Sequence, residues 1–113
     1  MLKIYHNPRC KKSRAGLERL ESKGINFEKI EYLKRPVTEA ELKDILVKLN
    51  QKPQEMIRTQ EEIYKKQFKG KQFTDDEWIR IMVEHPKLIK RPIIVKDYKA
   101  VWADPAEEMD KLF

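Results

Sequence analysis

Apolar positions switch between alternating and helical spacing along the chain. Leu2, Ile4 and Tyr5 form a short apolar run that stops at His6-Asn7-Pro8, the pattern of a buried strand running into a turn. From Lys11 to Lys23, Ala15, Leu17 and Leu20 recur among charges at near-helical spacing, and Gly24 supplies a stop, which predicts a first helix. Ile25, Phe27, Ile30 and Tyr32 then alternate imperfectly with charges up to the Arg35-Pro36 break, which predicts a second strand. Strand, helix and strand together make one βαβ unit.

The middle of the chain reads as helix throughout. Thr38 and Glu41 stand in capping-box spacing ahead of Leu42, Ile45, Leu46 and Leu49, and Thr74 and Glu77 do the same ahead of Trp78, Ile81 and Met82. Between them Pro53 starts short helical pieces that are expected to bury Met56, Ile57, Ile63 and Tyr64 before Gly70 ends them. After Pro86 the spacing turns extended: PIIV predicts a buried strand, DYK a turn and AVWA its partner. Asp104 as N-cap and Pro105 at the first helical position predict a short terminal helix. The expected architecture is one α/β domain over residues 1–113. A βαβ half and a β-hairpin half share a mixed four-stranded sheet, and a helical lobe at about 37–86 is inserted between them.

At 113 residues the chain is long enough to build one core without staples. Its formal net charge of +6 suits a protein that handles anions, but the cations are dispersed and interleaved with glutamates, as in EYLKRPVTEAELKD. A nucleic-acid surface would gather them on one face with stacking aromatics, so no nucleic-acid partner is expected. One cysteine excludes an internal disulfide, and no Cys/His cluster offers a metal site. MLKIYHNP lacks the look of a secretory leader, and no apolar run approaches the roughly 18 residues of a membrane span. A cytoplasmic protein with no membrane partner and no bound cofactor is expected. In that reducing compartment a lone thiol stays free.

That thiol, Cys10, stands in YHNPRCKKSR, between the end of a strand and the start of a helix. The unpaired amides of Lys11, Lys12 and Ser13 should face its sulfur and favour a thiolate. A helix terminus contributes about 0.3–1 kcal/mol, less than the ~1.36 kcal/mol that moves a pKa by one unit, so cations must add to it. Arg9, Lys11, Lys12, Arg14 and a protonated His6 are the local candidates, with the Ser13 hydroxyl as a further donor to sulfur. A thiolate with no resolving partner in its own chain can attack an electrophile, but an external thiol must release the product. Glutathione is the abundant choice.

YHNPRCKKSR, MIRTQEEIY and FTDDEWIRIMVEHPKLIKRPIIV together resemble the glutathione- and glutaredoxin-coupled arsenate reductases of the thioredoxin-like superfamily, over nearly the whole chain. The resemblance implies a thioredoxin-like fold and a reaction in which Cys10 attacks arsenate and glutathione with glutaredoxin resolves the adduct. It implies that His6, Asn7, Ser13 and Arg14 support the thiolate, that Arg58 and Arg91 lower the Cys10 pKa and bind the oxyanion, and that Pro92 is the cis-proline beside the site. A planar guanidinium suits that role because it offers paired donors to a tetrahedral oxyanion. Asp104 departs from the family pattern: it stands where the family carries a third active-site arginine, and a carboxylate there is expected to lower the efficiency of arsenate turnover.

Two other functions fit the same residues. Regulators of the Spx type share this fold and bind RNA polymerase without enzymatic activity, but commonly carry a second cysteine where this chain has Ser13. Alternatively, the same thiol chemistry could act on glutathione mixed disulfides.

Overall fold

Strand β1 (Leu2–His6) is the spine of a mixed four-stranded sheet in the order β2-β1-β3-β4. It pairs in parallel with β2 (Glu28–Glu31) and antiparallel with β3 (Ile93–Lys96), which pairs antiparallel with β4 (Lys99–Trp102). Such a parallel pair needs a crossover, and α1 (Lys11–Ser22) supplies it. In this computed structural model, which describes residues 1–113, the sheet and α1 belong to one compact unit, Met1–Arg35 with Arg91–Phe113; Pro36–Lys90 forms a second. The mixed α/β sheet expected from the apolar pattern is present.

In the sheet unit, Leu2, Ile4 and Ile94 meet Leu20 of α1 and Met109 and Leu112 of a terminal 3-10 segment, Ala106–Leu112. Ile4 lies opposite Ile94, so their pairing places both on one face of the pleat. Arg19 of α1 and Lys23, the residue that follows the helix, both grip Asp110, which ties the terminal segment to α1 and, led by the Arg19 hydrogen bond, holds the Asp110 carboxyl down at about 2. The second strand is shorter than the spacing predicts, because Ile25 is exposed and Phe27 only half-buried.

The buried stripe of α1 also differs from the expected one. Ser13, Gly16 and Leu20 are buried and Leu17 half-buried, whereas Ala15 is exposed. The cause is close approach: a Cβ built on Gly16 would lie 2.6 Å from Pro92 Cγ, so this face admits only small side chains near its N-terminus. Gly24 ends the helix as expected, at φ 68, with its N–H donating to the Glu21 carbonyl.

In the 36–90 unit, α2 (Glu39–Leu49) packs on α3 (Asp75–Glu84). The Thr38 hydroxyl accepts from Glu41 N–H, and Thr74 and Glu77 form the reciprocal capping box. Leu42, Ile45 and Leu46 are buried on α2. On α3 the buried set is Trp78, Ile79 and Met82; Ile81 is half-buried because the inward stripe passes through 78, 79 and 82. The connecting pieces are a 3-10 turn, Pro53–Met56, and a π-type turn, Tyr64–Phe68. Ile63 and Tyr64 are half-buried rather than buried, and Phe73 meets Trp78 edge to face with ring centroids 4.8 Å apart. A bridge between Ile57 and Ile89 ties the unit's interior to its exit. No helix is long and apolar enough to cross a membrane.

Candidate active site

β1 ends at His6, and the chain then turns through Asn7, Pro8 and Arg9 to deliver Cys10 as the N-cap of α1, in extended conformation. Three buried polar residues hold this turn: His6, Asn7 and Ser13, the last with no exposed surface. The Ser13 hydroxyl accepts from the Asn7 N–H at 3.0 Å and lies 2.8 Å from His6 Nδ1. Asn7 Oδ1 accepts from the Arg9 N–H, the Asn7 carbonyl from the Cys10 N–H, and the Pro8 carbonyl from Arg14 Nη1. Each buried polar group therefore has a partner, which fixes the backbone around the thiol.

Cys10 is half-buried and reduced, and makes no capping hydrogen bond through its side chain as the neutral thiol. Burial is the largest single influence on its acidity and pushes the thiol up. The Ser13 amide, the hydrogen bond and charge of Arg91, and the Lys12 amide outweigh it, so the thiol lies below its ordinary value. Arg91 is itself buried, at 8% exposure, and a buried guanidinium favours an anion beside it. Its carbonyl accepts from Trp102 Nε1 at 3.2 Å, and the Arg91–Pro92 peptide is cis. The Ala103 N–H donates to the Pro92 carbonyl, so the residues after β4 lie alongside the 91–92 step.

A thiolate-favouring cysteine at the N-terminus of the crossover helix, with an arginine and a cis-proline entering the next strand, can be set beside known proteins. The family model described as the ArsC family matches residues 5–112. The chain belongs to the ArsC family. An arsenate reductase of Neisseria meningitidis serogroup A is 39% identical over 111 residues, covering 96% of this chain and 95% of that protein. One from Haemophilus influenzae is 38% identical over 106 residues, covering 92% and 91%. The solved arsenate reductase from Vibrio cholerae superimposes with a TM-score of 0.94 at 39% identity, covering 99% of this chain and 97% of that one. The fold is thioredoxin-like, and ArsC membership supports a thiol oxidoreductase role.

Within this ArsC chain, the sheet unit brings together Cys10, His6, Asn7, Ser13, Arg14, Arg91 and Pro92. Their placements correct several expectations. His6 is no cation: burial first, then the charge of Lys29, push it below its ordinary value and keep it neutral near pH 7. The Ser13 hydroxyl holds Asn7 and His6 while the Ser13 amide faces the sulfur. Arg14 braces the Pro8 carbonyl and acts on the thiol only through the turn. Asp104 does not cap the terminal helix, which starts after an extended Pro105; its carboxylate instead accepts from Lys12 Nζ at 3.1 Å.

Arg58 lies in the 36–90 unit. Its N–H donates to the Leu88 carbonyl at 2.7 Å, and its Nε and Nη2 both reach Glu61 Oε2 at 3.2 Å. Sequence reasoning missed Trp102, Gly16 and the Lys12–Asp104 pair. A tryptophan in a strand reads as core, and no local signal joins residues 12 and 104; a glycine inside a helical pattern was the one available hint of close packing.

Proposed function

We propose that this ArsC protein is a glutathione-coupled arsenate reductase of the cytoplasm with Cys10 as its nucleophile. The observation that carries the reading is the thiol whose pKa lies below its ordinary value at the start of α1, with Arg91 against it. The relatives named as arsenate reductases supply the substrate.

The Cys10 thiolate attacks arsenic(V), and one arsenate oxygen leaves as water after taking up two protons. The amides of Lys12 and Ser13 then face the oxyanion bonded to sulfur, and the Arg91 fork takes two of its oxygens. An oxyanion role for Arg58, whose Nε and Nη2 both reach Glu61, rests on the family resemblance alone. Reducing arsenic(V) to arsenic(III) takes two electrons, and this chain holds one cysteine. Cys10 and one glutathione thiol supply them, leaving a Cys10–glutathione mixed disulfide that a second thiol, delivered by glutaredoxin, reduces. His6, Asn7, Ser13 and Arg14 keep the turn in place during both exchanges.

The Asp104 carboxylate would repel a dianion if it stood alone, which motivates the expectation of weak turnover; Lys12 offsets that charge. An Spx-like regulator is disfavoured because Ser13, which replaces a second thiol, is committed to His6 and Asn7. Glutathione-coupled arsenate reduction by wild type and Cys10→Ser tests the proposal. Turnover in wild type that falls at least about a thousandfold in the variant supports it. Activity on glutathione mixed disulfides without arsenate turnover would reassign the substrate, and turnover that survives the substitution would remove the nucleophile.

A further inference from the structure

The first turn of α1 is electrostatically anomalous. It carries Lys11, Lys12 and Arg14 and no acidic residue, although cations at a helix N-terminus oppose the macrodipole. Lys11 is exposed and Arg14 reaches the Pro8 carbonyl, whereas Lys12, its side chain 63% exposed, is paired with a carboxylate. Its Nζ lies 3.1 Å from Asp104 Oδ2, and the Asp104 side chain is only 19% exposed. That carboxylate is fixed in turn by its backbone: the Asp104 N–H donates to the Trp102 carbonyl, and Ala103 is hydrogen-bonded to Pro92. The same Lys12 supplies one of the amides that favour the Cys10 thiolate, and Arg91, next to Pro92, supplies the guanidinium. The pair thus clasps the start of α1 to the segment beside the 91–92 step.

We propose that Lys12 is an oxyanion-binding residue of the Cys10 site and that Asp104 is its positioning residue, holding the ammonium at the helix start. An ammonium has three donors; one stays on Asp104, and two remain for a tetrahedral oxyanion bound against the α1 amides. Asp104 acts through Lys12: it neutralises part of the charge that would otherwise strain the helix start, and it restrains a long flexible side chain that would lose entropy on binding. This inference rests on the reading of Cys10 as a thiolate that meets oxyanions, and it concerns binding alone.

The test is protection of Cys10 from iodoacetamide by sulfate, with ionic strength held constant by chloride. Because Cys10 is the one cysteine of the chain, alkylation reports the site alone. Lys12→Ala is expected to raise the half-protecting sulfate concentration about tenfold, and Lys12→Arg to restore most of it. Asp104→Asn should also weaken protection, and the double variant should be no worse than Lys12→Ala, because both act through one ammonium. Tighter protection in Asp104→Asn, or unchanged protection in Lys12→Ala, overturns the proposal, as does a wild type that sulfate never protects. Absence of arsenate turnover with the protection pattern intact would break the arsenate reading while supporting the Lys12–Asp104 assignment.

Discussion

The helices of this chain begin in two different ways. α2 and α3 each start on a threonine whose hydroxyl takes an amide of the first turn, with two or three acidic residues following: Glu39 and Glu41, then Asp75, Asp76 and Glu77. α1 starts on a cysteine that caps nothing, and its first turn is cationic. The former arrangement completes the helix and stabilises it locally. The latter leaves amides and positive potential unused by the fold, available to a thiolate and to an anion bonded to it. The helix start without a side-chain cap is the one at which the proposed thiol chemistry would use the open amides.

The comparison can be broken at three places, in order of expected effect. Gly16→Ala adds a methyl against Pro92 at the packed face of α1; overpacking costs about 1–3 kcal/mol against a gain of about 1 kcal/mol in helix propensity. Thermal unfolding should therefore show net destabilisation, and the Cys10 alkylation rate should change because Pro92 adjoins Arg91. An equally stable variant would mean that close approach does not shape this helix. Thr74→Ala should cost about 1 kcal/mol, or roughly 4–8 °C in Tm, with Cys10 reactivity untouched. Cys10→Asp supplies the missing cap and should raise stability by about 0.5 kcal/mol while abolishing thiol chemistry. A fall in Tm there would contradict the idea that Cys10 occupies a capping position at the expense of stability.

Much of this was legible in the sequence, and the failures have a common cause. Period and capping spacing placed all four strands, the crossover helix and both threonine-capped helices, because each signal is local: alternation for β3, a Thr-x-x-Glu box for α3. What misled was anything decided by a residue distant in sequence. Ala15 falls in the apolar spacing yet is exposed, and Gly16, outside that spacing, is buried because Pro92 leaves no room for a Cβ there. Asp104 looked like an N-cap because Asp-Pro is a local cap signal, yet Lys12, 92 residues earlier, claims the carboxylate. The residues around Cys10 point to local cations, whereas Arg91, which acts on the thiol with the backbone amides, is reached from the sequence only through the family resemblance. His6 fails as a cation for the same reason, since burial is not visible in YHNP.

The lowered pKa of Cys10 also links pH to stability. A thiol whose folded value lies below its unfolded one adds stability that is fully present above the unfolded value, near 8.5, and is lost as pH falls through the folded value. Cys10→Ser should remove that slope from a series of unfolding curves in the mildly alkaline range.

The central claim is that α1 amides and Arg91 hold Cys10 as a thiolate. Its most direct test is the pH dependence of Cys10 alkylation, followed in parallel by thiolate ultraviolet absorbance, in wild type and Arg91→Ala. The account predicts a wild-type midpoint below that of a free cysteine and a midpoint displaced upward in Arg91→Ala. A wild-type midpoint at or above the free-cysteine value, or one that Arg91→Ala leaves unmoved, would contradict it.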